Sequence, residues 1–339
     1  MLLLLLVLGF TATASAATAP TGRWQLDTGP GRRTAQITFI THDPSGHESW
    51  NGDAVPLARL VGLTPADLTA GHSTVTFTLT RDAGAFRFTG RLEHGKGDGE
   101  FDFEPDPGFG AALERRGYTR PDADQQFRLG LHDTGLAFVD ELAREGYRRP
   151  STESLVVLGE HGVDLDYLRD MDAAGYRVGD TSALQELRDH GVDGAYTRAM
   201  IAIAGRAIVP DQLRDLRDHG VDPGFVDGLG RAGYPGLSMD ELVTARDHGV
   251  TPGFIEGLRQ ADVRELSIDR MIELRDHGVD GAYARALADA GLRGLDADQL
   301  ERARDHGVDG VYVKKVRARV QGTVTFDEIV EMRDRGWPR

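Results

Sequence analysis

VDPGFVDGLGRAGYPGLSMDELVTARDHG, residues 221–249, is the stretch whose reading decides the fold. Its histidine is one of seven, His132, His161, His190, His219, His248, His277 and His306, that stand 29 residues apart with no insertion or deletion between them; Arg335 fills the next slot. Self-similarity at one fixed period is the mark of a tandem array whose units cannot bury their apolar faces alone.

The quoted unit reads as two short helices. Asp222 caps the first, as do Asp106, Asp164, Asp193, Thr251, Asp280 and Asp309 in their own units, because a short side-chain oxygen accepts from the unpaired amides of a first turn. Pro223 follows at the first helical position, where its missing N–H costs nothing. Phe225 and Leu229, spaced i and i+4, make one apolar stripe, and an aromatic with an apolar residue four later recurs in every unit. Gly233 ends that helix. Ser238 with Glu241 then forms a capping box for the second helix, which stops at Gly249. Helices of this length are marginal alone. Stacking must hold them, and the expectation is an α-solenoid of eight two-helix units over residues 105–336, with residues 337–339 as a tail.

Upstream, residues 21–104 alternate with a period of two, as half-buried strands do. Val75, Phe77 and Leu79 face one way between threonines; Phe86, Phe88 and Leu92 line a returning strand; Phe101 and Phe103 follow a glycine-rich turn at 94–99. Trp24–Leu26 and Gln36–Thr41 add two more strands, and Thr64-Pro65 opens a short helix. The fold class is therefore α+β: a small antiparallel domain of about five strands, then the helical repeats.

Leu2–Phe10 is an apolar run too short to cross a bilayer, followed by Ala14-Ser-Ala16. That is the layout of a signal peptide over residues 1–16, with Ala17 as the expected mature start and export to the periplasm or beyond as the expected fate. No other stretch approaches membrane length. The absence of cysteine excludes disulfides and thiolate chemistry. A formal charge of -15 repels phosphate and argues against a nucleic-acid partner.

Sites are sparse. His42, Asp43, His47 and Glu48 form a polar loop that offers metal-ligand chemistry without ligand spacing on regular structure; a plain surface loop is the simpler reading. Arg-Asp-His-Gly begins at 188, 217, 246, 275 and 304. Its histidines suit a helix's last turn, where they complement the dipole and meet free carbonyls, better than a metal ladder. An aspartate in a last turn is unfavourable, so Asp247 and its equivalents call for a cation, and an Arg–Asp ladder between units, involving Arg246 and its counterparts, is expected. Candidate partner surfaces are Ile201 and Ile203 in the irregular fourth unit and the basic end carrying Lys314, Lys315, Arg317 and Arg319. Residues 308–339 hold seven Lys/Arg and five acids, net +2, against -17 for the rest.

Residues 81–90 (RDAGAFRFTG) and 97–105 (GDGEFDFEP), together with the repeats, resemble a β module and helical tail found in exported bacterial proteins. The tail is similar to the non-catalytic part of membrane metallopeptidases of the beta-lactam-sensor type. The peptidase's H-E-x-x-H and membrane helices are absent, so the resemblance implies a periplasmic sensing or interaction module without activity. The junction HGVTP at 248–252 is similar to repeat junctions of DNA-reading effectors of plant pathogens, but the units here are shorter and the charge is wrong for DNA. The expected function is a non-catalytic scaffold with a protein partner in the cell envelope and no cofactor. A metal-dependent role for the β-domain loop and an acidic-polymer dock at the basic end are the alternatives.

Overall fold

Threonine-flanked apolar residues make strands because a β-branched face packs well on a pleat. The computed structural model describes residues 20–29, 33–42 and 45–337. The expected signal segment, Ala17, Asp43 and residues 338–339 lie outside them. Seven strands form one curled antiparallel sheet: β1 (Thr21–Asp27), β2 (Thr34–His42), β3 (Glu48–Pro56), β4 (Leu60–Val61), β5 (Ser73–Arg81), β6 (Gly84–Glu93) and β7 (Lys96–Pro105). Their spatial order is β3-β2-β1-β7-β6-β5-β4. Helix α1 (Pro65–Thr69) lies between β4 and β5, and Thr64 and Asp67 close its capping box.

The sheet buries Trp24, Phe39, Phe77, Phe86, Phe88, Phe101 and Phe103 on one face. Trp24 meets Phe77 edge-on at 5.2 Å, and Phe77 stacks on Phe88 at 4.6 Å. Such pairs add about 0.5–1.5 kcal/mol each beyond the area they bury.

Two expectations are corrected here. The sheet has seven strands rather than about five, because β3 is an edge strand whose Asn51-Gly52-Asp53 looks like a turn and whose residues are mostly exposed, and β4 is only two residues long. The supposed turn at 94–99 is confined to His94-Gly95, and Gly97 and Gly99 belong to β7. Gly90 and Gly99 stand opposite each other. A Cβ on Gly90 would sit 2.7 Å from the Trp24 ring, and one on Gly99 would sit 2.0 Å from the Thr89 carbonyl. These glycines make room for an indole whose Nε1 donates to the carbonyls of Thr89 and Glu100 at 3.2 and 3.1 Å.

The chain divides into two compact units. One holds the described residues up to Arg169 with Gly179–Thr181; the other holds Asp170–Val178 and Ser182 onward. In the first, the sheet is followed by α2 (Pro107–Arg115), α3 (Ala123–Leu131), α4 (Leu136–Arg144) and α5 (Thr152–Glu160). Helix α3 packs on β6 and β7, with the Phe127 ring 5.4 Å from Phe103 and 6.2 Å from Phe86. Arg81 is buried beneath it. Its Nη1 donates to the Gly130 and Leu131 carbonyls at 2.7 and 2.6 Å, its Nη2 bonds Asp53, and its guanidinium lies over the Phe39 and Phe86 rings. The Asp82 carboxylate accepts from the Leu136 amide and so caps α4, which has no side-chain cap of its own.

Beyond α6 (Leu165–Ala173) come α7 (Thr181–Asp189), α8 (Gly194–Ala204), α9 (Pro210–Asp218), α10 (Pro223–Arg231) and α11 (Met239–Asp247). They are followed by α12 (Pro252–Gln260), α13 (Ile268–Asp276), α14 (Gly281–Asp289), α15 (Ala297–Asp305), α16 (Gly310–Arg317) and α17 (Phe326–Asp334). In the second unit, α8, α10, α12, α14 and α16 pack in one succession, and α9, α11, α13 and α15 in another. The first-helix caps form as the spacing predicts: Asp222, for instance, accepts from the Phe225 amide at 2.8 Å. Both members of the aromatic–apolar stripe are buried in each unit, down to Leu229 and Leu258 at zero exposure. Helix α8 runs 11 residues where its neighbours run nine. Ala204 occupies the slot that holds a glycine in most units, so the left-handed turn moves on to Gly205.

Candidate functional site

The Arg-Asp-His-Gly sequence sits at the end of α7, α9, α11, α13 and α15, and the residues after it lead into the next unit. The glycine takes φ of 67–71° in all seven places from Gly162 to Gly336, a conformation that suits a residue without Cβ. The turn leaves the histidine as the helix's C-terminal cap, its side chain free to reach sideways. Nδ1 of His190, His219, His248, His277 and His306 lies 2.6–2.8 Å from the carboxylate of Asp218, Asp247, Asp276, Asp305 and Asp334 respectively. A carboxylate only accepts, so Nδ1 carries the hydrogen in each of these bonds.

The expected Arg–Asp ladder is therefore replaced by a His–Asp ladder. The arginine before each of these aspartates does something else: it lies over the aromatic ring of the first helix of its own unit. Arg217 covers Tyr196 at 5.0 Å, Arg246 covers Phe225 at 4.9 Å, Arg275 covers Phe254 at 5.3 Å, Arg304 covers Tyr283 at 4.8 Å and Arg333 covers Tyr312 at 4.7 Å. A planar cation on a ring face is worth about 0.5–1 kcal/mol at exposed positions. Where the aromatic is a tyrosine, its hydroxyl adds a third link. Tyr196 donates to the Val221 carbonyl at 2.9 Å and Tyr283 to the Val308 carbonyl at 2.6 Å. Burial pushes the Tyr196 phenol up to about 12, so it stays a donor at any physiological pH.

Two histidines face a second acid. His277 Nε2 is 3.4 Å from Glu301, whose other oxygen pairs with Arg270 at 2.6 Å, and His219 Nε2 is 3.9 Å from Asp215. The hydrogen bond that His219 makes to Asp247 holds it above the ordinary imidazole value, and the one that His277 makes to Asp305 does the same there. His277, Glu301 and Asp305 are the one trio among the described residues whose ligand atoms fall within 4.8 Å of one another. The two carboxylates address different ring nitrogens, and Arg270 already pairs with Glu301, so the ring lies between two acids in ion-pair geometry and not in a ligand cluster converging on one point.

The first histidines differ. His132 is followed by Asp133 instead of glycine, and Asp133 adopts φ 52° and pairs with Arg59 at 2.9 Å. Partial burial holds His132 below the ordinary imidazole value. His161 caps α5 as the spacing requires.

His42 and Glu48 face each other across the β2–β3 hairpin at 3.1 Å, Arg23 pairs with the same carboxylate, and His47 contacts Ser45 at 2.8 Å. Asp43 lies outside the described residues. In the fourth unit Ile203 is 43% exposed, Ile201 is half-buried, and the neighbouring Val209 is 56% exposed. At the basic end Lys314, Lys315, Arg317 and Arg319 are all exposed, but Arg317 spends a donor on the Gly291 carbonyl at 3.0 Å, as Arg259 does on that of Ala232 at 2.6 Å.

Sequence reasoning missed Arg81, Asp133 and the ring partners of the repeated arginines. The 21-residue offset between each aromatic and the following arginine, as from Phe225 to Arg246, was the available signal. Among the described residues no helix is long and apolar enough to cross a membrane. No known protein family, curated protein or solved structure matches the chain.

Proposed function

We propose that the chain is a non-catalytic, exported interaction scaffold. In this reading residues 105–336 are eight two-helix units stacked as an α-solenoid that presents an extended surface to a protein partner in the cell envelope, and the β domain is a second contact or anchor. The observation that carries it is the repetition of one set of links, histidine to aspartate and arginine to ring, in consecutive units. Chemistry distributed identically over five junctions serves shape, whereas an active site needs one unique constellation. The likeness to the tails of sensor-type metallopeptidases points the same way.

Small-angle scattering on the whole protein tests the architecture. At about 9 Å per unit, eight units reach on the order of 70 Å; a compact particle of globular dimensions removes the solenoid. Crosslinking in cells tests the role, with full-length protein and an Ile203→Glu, Val209→Glu variant side by side. A defined envelope protein captured by the first and lost with the second supports the reading, and equal capture by both moves the partner surface elsewhere.

A further inference from the structure

The sheet face opposite the aromatic core carries a cleft of about 910 Å³ over β1, β2, β6 and β7. The strand register sets its floor in rows. Thr38 lies across from Gln25, Gln25 from Asp98, and Asp98 from Arg91. At about 4.8 Å between strands, that row is a ledge roughly 14 Å long. Gln25, Asp98 and Arg91 make no side-chain hydrogen bond or ion pair with any described residue, and neither does Gln36 in the adjoining row. The charges balance, with Arg23, Arg91 and Lys96 against Asp27, Glu93 and Asp98, so the cleft projects no net field for a polyanion or a polycation. At the rim, Trp50 stands across from the lining residue Ile40 and is 56% exposed, on an edge strand where an indole gains nothing from the core.

We infer that this cleft binds a neutral oligosaccharide. Amide, carboxylate and guanidinium groups offer paired donors and acceptors in fixed planes, as vicinal hydroxyls require. An exposed indole is the natural platform for the apolar face of a pyranose, being large, rigid and amphipathic. A rigid sheet presents all of these with little ordering cost. The volume accommodates several sugar rings, so a chain is the fitting ligand. This deepens the view of the β domain as an anchor by naming what it holds, and its failure leaves the reading of the helical array untouched.

The test is calorimetric titration of the full-length protein with chitotetraose, cellotetraose and maltotetraose. At least one should bind, with an affinity that changes little between about 0.05 and 0.5 M salt, because no charge is neutralised. Trp50→Ala and Gln25→Ala should each weaken binding by about tenfold, or ~1.4 kcal/mol. Both sites are solvent-exposed, so thermal unfolding should be unaltered and loss of binding cannot be mistaken for loss of fold. Failure of all three sugars to bind overturns the proposal, as does binding that both variants retain in full. Binding of a sulfated polysaccharide alone, abolished by salt, would also overturn it, because it would mark an anion site.

Discussion

The first compact unit and the second carry the same 29-residue spacing but use it differently. In the second, each junction repeats its neighbour: histidine to aspartate, arginine over ring, glycine in the left-handed turn. In the first, the positions around its first histidine, His132, are diverted to the sheet. Asp133 stands in the glycine slot and reaches Arg59, while Arg81 takes the carbonyls at the end of α3 and lies over two rings of the β core. One region is held by a single dense aromatic core and a buried cation; the other by thin apolar layers and bonds at its surface. A repeat that docks on another fold gives up its periodic contacts to do so, and the departures from consensus mark where it docks.

The sharpest way to break this contrast is to empty the aromatic core. Phe86→Ala should destabilise the first unit by about 3–5 kcal/mol, the usual result of deleting a buried ring. Hydrogen exchange would show protection lost in the sheet and in α2–α5 but kept in α10–α15. Equal loss in both would mean that the two regions unfold as one. Arg81→Met comes next. It leaves two carbonyls and Asp53 without their cation, at a cost of about 3 kcal/mol, seen as faster exchange at the end of α3. A neutral result would show the clamp to be dispensable.

The two regions also differ in how far they could be read from sequence. Helix ends in the array were legible because most termini are written in local chemistry: Asp222 and Ser238 at the starts, Gly249 at the stop. What a side chain does beyond its own helix was not, because the partner sits 21 or 28 positions away and several candidates satisfy the same charge argument. Asp247 needed a hydrogen-bond donor, and arginine and histidine both offered one; geometry gave it to His219 and freed Arg246 for the Phe225 ring. In the β domain, β3 was hidden by edge-strand polarity, and the outer cleft by the fact that Gln25 and Arg91 are neighbours only through β7.

A smaller effect sharpens the description of the junctions. Arg246→Lys keeps the charge but loses the flat guanidinium over Phe225, and should cost about 0.5–1 kcal/mol. A neutral result would reduce the arginine to a solubilising charge. Asp247→Ala removes the acceptor of His219 and should lower the melting temperature. A cycle with His219→Gln should show that the two losses are not additive. Full additivity would mean that the ladder is a coincidence of surface side chains.

The smallest effect is the most discriminating, because it differs in sign between the regions. His219 and His277 are held above the ordinary imidazole value by Asp247 and Asp305, with Asp215, Asp218 and Glu301 adding negative charge and Arg270 opposing at His277. Their contribution is fully present below the unfolded value of about 6.5 and is lost as pH rises through the folded value. His132 is held below the ordinary value by burial, with Arg81 and Arg128 working against its charge and Glu160 and Asp53 favouring it. Its contribution is present at higher pH and is lost as pH falls below about 6.5, when the unfolded chain takes up the proton first. Lowering pH from about 8 to 6 should therefore increase exchange protection in α9–α15 while loosening the region around α3. NMR titration of the imidazole carbons would assign the cause, with Asp247→Ala returning His219 toward its ordinary value and leaving His277 where it is. If both regions respond to pH with the same sign, or if His219 titrates unchanged without Asp247, the junction bonds do not set the array's charge state, and the contrast between the two regions rests on packing alone.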